Sequence, residues 1–327
     1  MSQLWGVLIV GAGPAGLASA IEAGRQGLKA LVLEKGCLTN SIYHYPVNMV
    51  FFTSRELLEI GDIPFACANL KPTRMEALEY YRRVADFYRL NVHFQERVIA
   101  VEGADGEFRV GTQGREGARQ EYRARKVVLA TGYYDLPNLL GVPGEDLPKV
   151  SHYYTEAHPF FRSEVAVIGG GNSAAEAALD LYRHGAVVTL IQRGKELSPN
   201  IKYWVRPDLE NRLKEGAIRA LFETTVQEVR ADTVLVVTAG GESLRIENDF
   251  VFALTGYHPD FDFLRRAGVA LDPQSQRPCC DVETRESNVP GIYLAGVIVA
   301  GMQTNEIFIE NGRFHGQQIV ADIKRKI

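Results

Sequence analysis

The chain has 327 residues, a net charge of −4, 46% hydrophobic and 23% charged residues, the make-up of an ordinary soluble protein with material for about two domains. A pI of about 6.0 gives no electrostatic footprint for nucleic acid or an anionic membrane surface. No apolar run approaches membrane-spanning length, no signal peptide precedes Val7, and four cysteines make no disulfide framework, so the expected location is the cytoplasm.

Val7 to Val10 reads as a short buried strand. Gly11-Ala12-Gly13-Pro14-Ala15-Gly16 follows as G-x-G-x-x-G. In that pattern the first glycine makes a tight turn, the second admits a pyrophosphate, and the third lets helix and strand pack closely. Leu17 to Gln26 continues the helix, and Gly27 is its natural stop. The helix aims unpaired N–H groups and a positive dipole end at the phosphates. Leu31-Val32-Leu33 is the second strand and ends at Glu34. A carboxylate there accepts hydrogen bonds from a ribose 2′-OH and repels a 2′-phosphate.

Thr73 to Arg89 carries apolar residues at helical spacing, and Thr73 with Glu76 forms a capping box. Strands are expected at 92–94, 98–101, 108–110 and 126–129, the last leading into Ala130-Thr131-Gly132. Pro137, Gly141, Pro143, Gly144 and Pro148 then interrupt regular structure and mark a boundary.

Val165 to Gly194 repeats Val7 to Gly36 without a gap: Gly11 falls on Gly169, Gly13 on Gly171, Gly27 on Gly185 and Gly36 on Gly194. Gly169-Gly170-Gly171-Asn172-Ser173-Ala174 is the G-x-G-x-x-A form. Glu34 falls on Gln192, which cannot repel an anion, and Arg193 follows, which can pair with one bidentately, with Lys195 adding charge nearby. The first copy suits the ADP half of FAD, and the second suits NADPH better than NADH.

Trp204 to Gly216 is expected to be partly helical, followed by strands at 234–237 and 250–254. The latter ends in Thr255-Gly256, the counterpart of Thr131-Gly132. Gly291 to Gly296 is a last strand and turn, and Ile307 to Ile323 a terminal helix capped by Thr304 or Asn305. The predicted fold is α/β, with two Rossmann-like dinucleotide-binding domains. The NADPH domain, 147–256, is inserted in an FAD domain made of 1–146 and 257–327. No metal site is expected.

These motifs, with VLATG, FALTG and GIYLAG, resemble the two-dinucleotide-binding flavoprotein reductases of the low-molecular-weight thioredoxin reductase type. Longer segments sharpen this to the YpdA-like branch of bacillithiol-disulfide reductases. They include EKGCLTNSIYHYP from Glu34, FFTSRELLEIGDIPF from Phe51, DLPKVSHYYTEAHPFF from Asp146 and IFIENGRFHG from Ile307. The resemblance covers the whole chain. It implies an NADPH-dependent FAD enzyme that passes hydride to the flavin and on to a disulfide acceptor. It further implies FAD contacts at Gly11, Gly13, Pro14, Ala15, Gly16, Glu34, Lys35, Asn40, Ser41, Tyr45, Val98, Thr131, Gly132, Gly296, Val297 and Thr304. NADPH contacts are implied at Gly169, Gly170, Gly171, Asn172, Ser173, Ala174, Arg193, Lys202 and Gly256. A homo-oligomer is expected by analogy.

Two positions depart from the pattern. The branch typically carries a cysteine, a proposed redox residue, where this chain has Ala15. The broader family has Gly-Asp after the last strand, where the aspartate contacts the flavin ribityl chain; here, as is usual for the narrower branch, it is Gly296-Val297, and backbone contacts must substitute.

No C-x-x-C or C-x4-C occurs: Cys37 and Cys67 are isolated, and Cys279-Cys280 are adjacent. The redox standing of all four is open, with buried hydrophobic packing the commoner role. His315 receives no role. Tyr133, Tyr134, His152, Tyr153 and Tyr154 fit either cofactor stacking or interdomain packing. Three other activities compete with disulfide reduction: electron transfer to a redox protein, as in ferredoxin- or flavodoxin-NADP reductases; flavin monooxygenation, although F-x-G-x-x-x-H is not met around His152; and non-enzymatic redox sensing.

Overall fold

The structure, a computed structural model, describes residues 3–327. The chain forms two compact units. The first holds residues up to His44, Met49–Leu136 and His258–Ile327; the second holds Tyr45–Asn48 and Pro137–Tyr257.

The first unit is built on β1 (Leu4–Val10), α1 (Pro14–Arg25), β2 (Ala30–Leu33), α2 (Asn40–Tyr43), α3 (Arg74–Phe87), β3 (Val92–His93), β4 (Arg97–Glu102), β5 (Phe108–Gln113) and β6 (Arg119–Leu129). Its sheet runs in the order β3-β2-β1-β6-β5-β4, with strand Ile292–Leu294 also pairing with β6. Pairing is parallel from β3 through β1 to β6 and antiparallel across β6, β5 and β4. The central strands are buried on both faces. Leu8, Leu31, Val127 and Leu294 pack with Phe263 and Leu264 in one continuous core. Such burial explains why these strands read as unbroken apolar runs.

Local signals place the helices where expected. Gly27 has φ +72, a conformation that suits glycine after a helix end. At α3 the Thr73 hydroxyl accepts from the Glu76 N–H at 3.2 Å, and the Glu76 carboxylate accepts from the Thr73 N–H at 2.8 Å. That reciprocal box holds the Glu76 carboxyl below its ordinary pKa, chiefly through the Thr73 N–H.

The second unit repeats the plan. Strand Glu164–Ile168 lies between Val187–Ile191 and Phe250–Ala253, with Arg219–Leu221 and Val150–Ser151 at the two edges, all parallel. Helix Asn172–Arg183 packs its alanine-rich face, Ala174, Ala175, Ala177 and Ala178, into the core. An antiparallel meander, Thr224–Val229, Thr233–Thr238 and Ser243–Glu247, covers the other face.

Three expectations are corrected. The change of unit falls between Leu136 and Pro137, not at 146. The segment after Pro137 is tied to the second unit because Val229 N–H donates to Pro143 O and Asn138 N–H to Gly256 O, each at 2.9 Å, and Gly144 abuts the Val229 carbonyl. The terminal helix is not continuous from 307 to 323: Ile309–Gly312 and His315–Lys326 are separate. Neither Thr304 nor Asn305 caps it, because Asn311 Oδ1 accepts from Phe308 N at 2.8 Å and closes the first turn instead. The break lets Gly312 and Gly316 approach backbone closely: a Cβ on Gly316 would stand 2.8 Å from the Ser19 backbone of α1.

Candidate dinucleotide sites

The repeat seen in sequence continues into hydrogen bonding. Gly11 N–H donates to the Leu33 carbonyl at 2.8 Å, and Gly169 N–H to the Ile191 carbonyl at 2.9 Å. Ala130 N–H donates to Val10 O, and Leu254 N–H to Ile168 O, each at 2.8 Å. Each glycine turn therefore leaves its first strand between the end of the second strand and the start of a Thr-Gly turn.

The glycines differ in what surrounds them. A Cβ on Gly11 would stand 2.4 Å from the Ala130 oxygen, and one on Gly169 would stand 2.4 Å from the Leu254 oxygen. Gly16 is blocked by the Gly11 carbonyl at 2.0 Å. Before Gly13 and Gly171 there is nothing within 4 Å. These two are the N-cap positions of α1 and of helix Asn172–Arg183. The first glycine of each turn and Gly16 meet backbone, while the second glycine is open where a diphosphate must approach a helix N-terminus, so both turns fit a dinucleotide.

Glu34 is buried at the end of β2. Its carboxylate accepts from Ala12 N and Gly36 N, both at 2.8 Å. Burial pushes its pKa up, and these two donors pull it back. A carboxylate offers about four acceptor positions, so two remain for a ribose. Beside it opens a cleft of 990 Å³ lined by Lys35, Gly36, Cys37, Asn40, Gln95 and Arg97, among others. Lys35 pairs with Asp135 at 2.5 Å. Asn40 Oδ1 accepts from Cys37 N at 3.3 Å and packs on Gly36. Ser41 Oγ would lie 3.8 Å from a Cβ on Gly132, whose φ is +73, so α2 and the Thr131-Gly132 turn meet. Val98 is buried on β4. Tyr45 lies in the segment counted with the second unit.

In the second unit, Gln192 lies over Gly170, where a Cβ would stand 1.8 Å from Nε2. Arg193 is exposed and makes no ion pair among the described residues. Lys195 lies 4.0 Å from Glu223. The segment after Gly194 folds back over the turn: Ser198 N–H donates to Gly170 O at 2.9 Å, and Lys202 N–H to Asn172 Oδ1 at 3.1 Å. Lys202 is buried and its ammonium pairs with Glu176 at 2.7 Å. Asn138 holds the second Thr-Gly turn, accepting from Thr255 and donating to Thr255 O and Gly256 O.

A family model described as pyridine nucleotide-disulphide oxidoreductase matches residues 8–296. The chain belongs to that family. Bacilliredoxin reductase Bdr of Bacillus subtilis (strain 168) is 47% identical to it over 319 residues, 98% of this chain and 97% of that one. Two solved structures share the fold over nearly all of both chains. Bacillithiol disulfide reductase Bdr (YpdA) from Bacillus cereus has a TM-score of 0.97 and 47% identity, covering 99% of this chain and 100% of that one. The Staphylococcus aureus protein of the same name has a TM-score of 0.94 and 43% identity, covering 99% of each. The protein is a flavoprotein reductase of two Rossmann-like domains that uses FAD and NADPH. No helix among the described residues is long and apolar enough to cross a membrane.

All four cysteines are free thiols, with Cys279 exposed and Cys37, Cys67 and Cys280 half-buried. Burial pushes Cys280 up to about 11, and burial and then Glu34 push Cys37 upward. Ala15 is half-buried and faces Gly296, where a Cβ would stand 3.0 Å from its own.

Two residues at the first site were not assigned from sequence. Arg74, buried at the start of α3, donates from Nε to the carbonyls of Ile42 at 3.2 Å and Tyr43 at 3.1 Å, and from Nη2 to Tyr43. It thereby closes the C-terminal end of α2. His315 is buried and takes the Gly296 N–H on Nδ1 at 3.0 Å. For Arg74 the only sequence signal is its place just inside a capping box; for His315 it is a histidine wedged before Gly316.

Proposed function

We propose that the protein reduces a low-molecular-weight disulfide of the bacillithiol type at the expense of NADPH. The balance is one hydride from NADPH and one proton from solvent; the S–S bond breaks and two thiols leave. The observation that carries this reading is the 47% identity over 98% of the chain to a bacilliredoxin reductase, with a bacillithiol disulfide reductase structure matching at a TM-score of 0.97.

The first unit holds FAD through the open Gly13 edge of its turn, the N-terminus of α1, the Glu34 carboxylate on the ribose, and Lys35, Asn40 and Ser41. Thr131, Gly132, Gly296, Val297 and Thr304 bound the rest. The second unit holds NADPH at Gly169–Ala174, with Arg193 on the 2′-phosphate and Lys202 near the diphosphate. FAD, when bound, supplies the two-electron relay between NADPH and the acceptor. The protein orients both nucleotides, and Ala15 leaves it no thiol at the glycine turn, so the acceptor is reduced without a mixed disulfide there.

That same alanine favours a second reading, electron delivery to a redox protein. Anaerobic mixing separates the two. NADPH-reduced protein should regain its oxidised flavin absorbance on adding bacillithiol disulfide. If only iron–sulfur or flavodoxin-type proteins restore it, the disulfide reading is wrong.

A further inference from the structure

The last parallel strand of the first unit runs out one residue too early. Ala295 N–H donates to the Leu129 carbonyl at 2.9 Å and is the final rung. Gly296 follows with φ +78, buried, and its N–H turns off the sheet. It is pinched: a Cβ would stand 3.0 Å from Ala15 Cβ on the glycine turn, and a Cβ on Gly312 would stand 3.3 Å from Gly296 Cα. No side chain can be placed there to hold the turn, and Val297 has no polar group to do so. A buried N–H with no acceptor is costly. Among the described residues its one acceptor is His315 Nδ1 at 3.0 Å.

We propose that His315 is a positioning residue for the flavin cofactor: as a neutral imidazole it anchors Gly296 N–H and so fixes the Gly296-Val297 turn against Ala15. The inference rests on the FAD reading of the first unit. To accept on Nδ1, the ring must carry its hydrogen on Nε2. Burial, and then the Arg285 guanidinium, disfavour a charged ring and keep it in the accepting form. The first helical turn of His315–Lys326 is held in register by Gly316 against Ser19 of α1, so one helix start fixes both the α1 contact and the Gly296 turn. The turn that meets the cofactor and the helix that points at it are thus placed by a single helix terminus.

Two variants separate the hydrogen bond from packing. His315→Asn keeps a neutral acceptor where Nδ1 stands, whereas His315→Leu fills the space with none. The readouts are the FAD dissociation constant, measured from released flavin fluorescence, and the visible circular dichroism of the bound flavin. His315→Leu should bind FAD about tenfold or more weakly and change the dichroism, with His315→Asn close to wild type. Equal losses in both variants, or a wild-type spectrum in His315→Leu, overturn the proposal. If His315→Leu does not fold, nitrogen-15 chemical shifts of the wild-type imidazole decide. An unprotonated Nδ1 supports the proposal, and an Nδ1–H tautomer ends it. A wild-type protein that binds no FAD sinks the reading of the site instead, while the imidazole shifts still report the hydrogen bond.

Discussion

The carbonyl of Ala130 sits against Gly11 so closely that any Cβ there would meet its oxygen at 2.4 Å. Two residues on, Gly13 has φ −75 and ψ 173, a conformation open to any residue, and nothing within 4 Å. The contrast separates folding from binding. Gly11→Ala should destabilise the first unit by about 2 kcal/mol or more, because it adds a clash to a positive φ. Gly13→Ala should shift apoprotein stability by less than about 1 kcal/mol, the scale of an N-cap change, yet weaken FAD binding. Denaturant melts and flavin titrations of both variants check this. If Gly13→Ala leaves FAD affinity intact, the open edge is not where the diphosphate lies.

Arg193 offers an equally clean separation on the nicotinamide side. It is exposed and makes no ion pair among the described residues, so its removal costs the fold little. One charge-assisted contact to a phosphate is worth about 1.5–3 kcal/mol. Arg193→Ala should therefore raise the KM for NADPH by roughly tenfold to a hundredfold and leave that for NADH unchanged. Steady-state kinetics with both nucleotides decides it, and parallel losses would show that Arg193 does not read the 2′-phosphate.

Arg74 should matter as much as any residue of the glycine turn, although it lies on α3. It is 8% exposed and satisfies the carbonyls that end the four-residue α2. In Arg74→Met those carbonyls lose their donor, a cost of about 1–3 kcal/mol for each buried group left unpaired. The expected outcome is a lower melting temperature together with weaker FAD retention, because Asn40 and Ser41 ride on α2. A variant that melts earlier but keeps full FAD affinity would place α2 outside the binding site.

Both glycine turns were legible because their chemistry is local. A strand, a tight turn and a helix start lie within a few residues, and the glycines announce backbone contact. Glu34 was legible for the same reason. What escaped depended on distant partners. Arg74 meets α2 across some thirty positions of chain, and His315 meets Gly296 across a break in the terminal helix. The sequence does not mark that break: 307–323 keeps an apolar pattern through Asn311-Gly312, and only the close approaches of Gly312 and Gly316 require it. The change of unit at Pro137 has no local signature either, since the bonds that tie its segment down come from Val229 and Gly256, about 90 to 120 positions further along the chain.

His315 gives a pH signature in stability. Burial, then Arg285, pull its pKa down to about 4 from the ordinary 6.5. As pH falls below 6.5 the unfolded chain takes up a proton that the folded chain refuses, so unfolding becomes easier. Below about 4 both states are protonated and the dependence ends. Across that window the wild type should lose about 3 kcal/mol that His315→Asn does not lose. Denaturant melts of the two proteins at matched pH values measure the difference. Parallel curves between pH 4 and pH 6.5 would mean that the folded protein protonates the ring as readily as the unfolded chain does.

Turnover should not depend on any thiol of the enzyme. The position at the glycine turn is Ala15, all four cysteines are free, and burial raises Cys280 to about 11 and also raises Cys37. Neither Cys37 nor Cys280 is an activated nucleophile on that ground. Alkylating the NADPH-reduced protein with iodoacetamide should therefore leave its rate with bacillithiol disulfide within about twofold, the spread expected for a distant surface change. Ala15→Cys supplies the contrast. The residue is half-buried in the first turn of α1, where the helix N-terminus stabilises a thiolate and lowers its pKa below about 8.5. That variant should become sensitive to the alkylator and trap one equivalent of bacillithiol as a mixed disulfide, visible by mass spectrometry. Loss of wild-type activity on alkylation would place an enzyme thiol in the path of the electrons and overturn the thiol-free route.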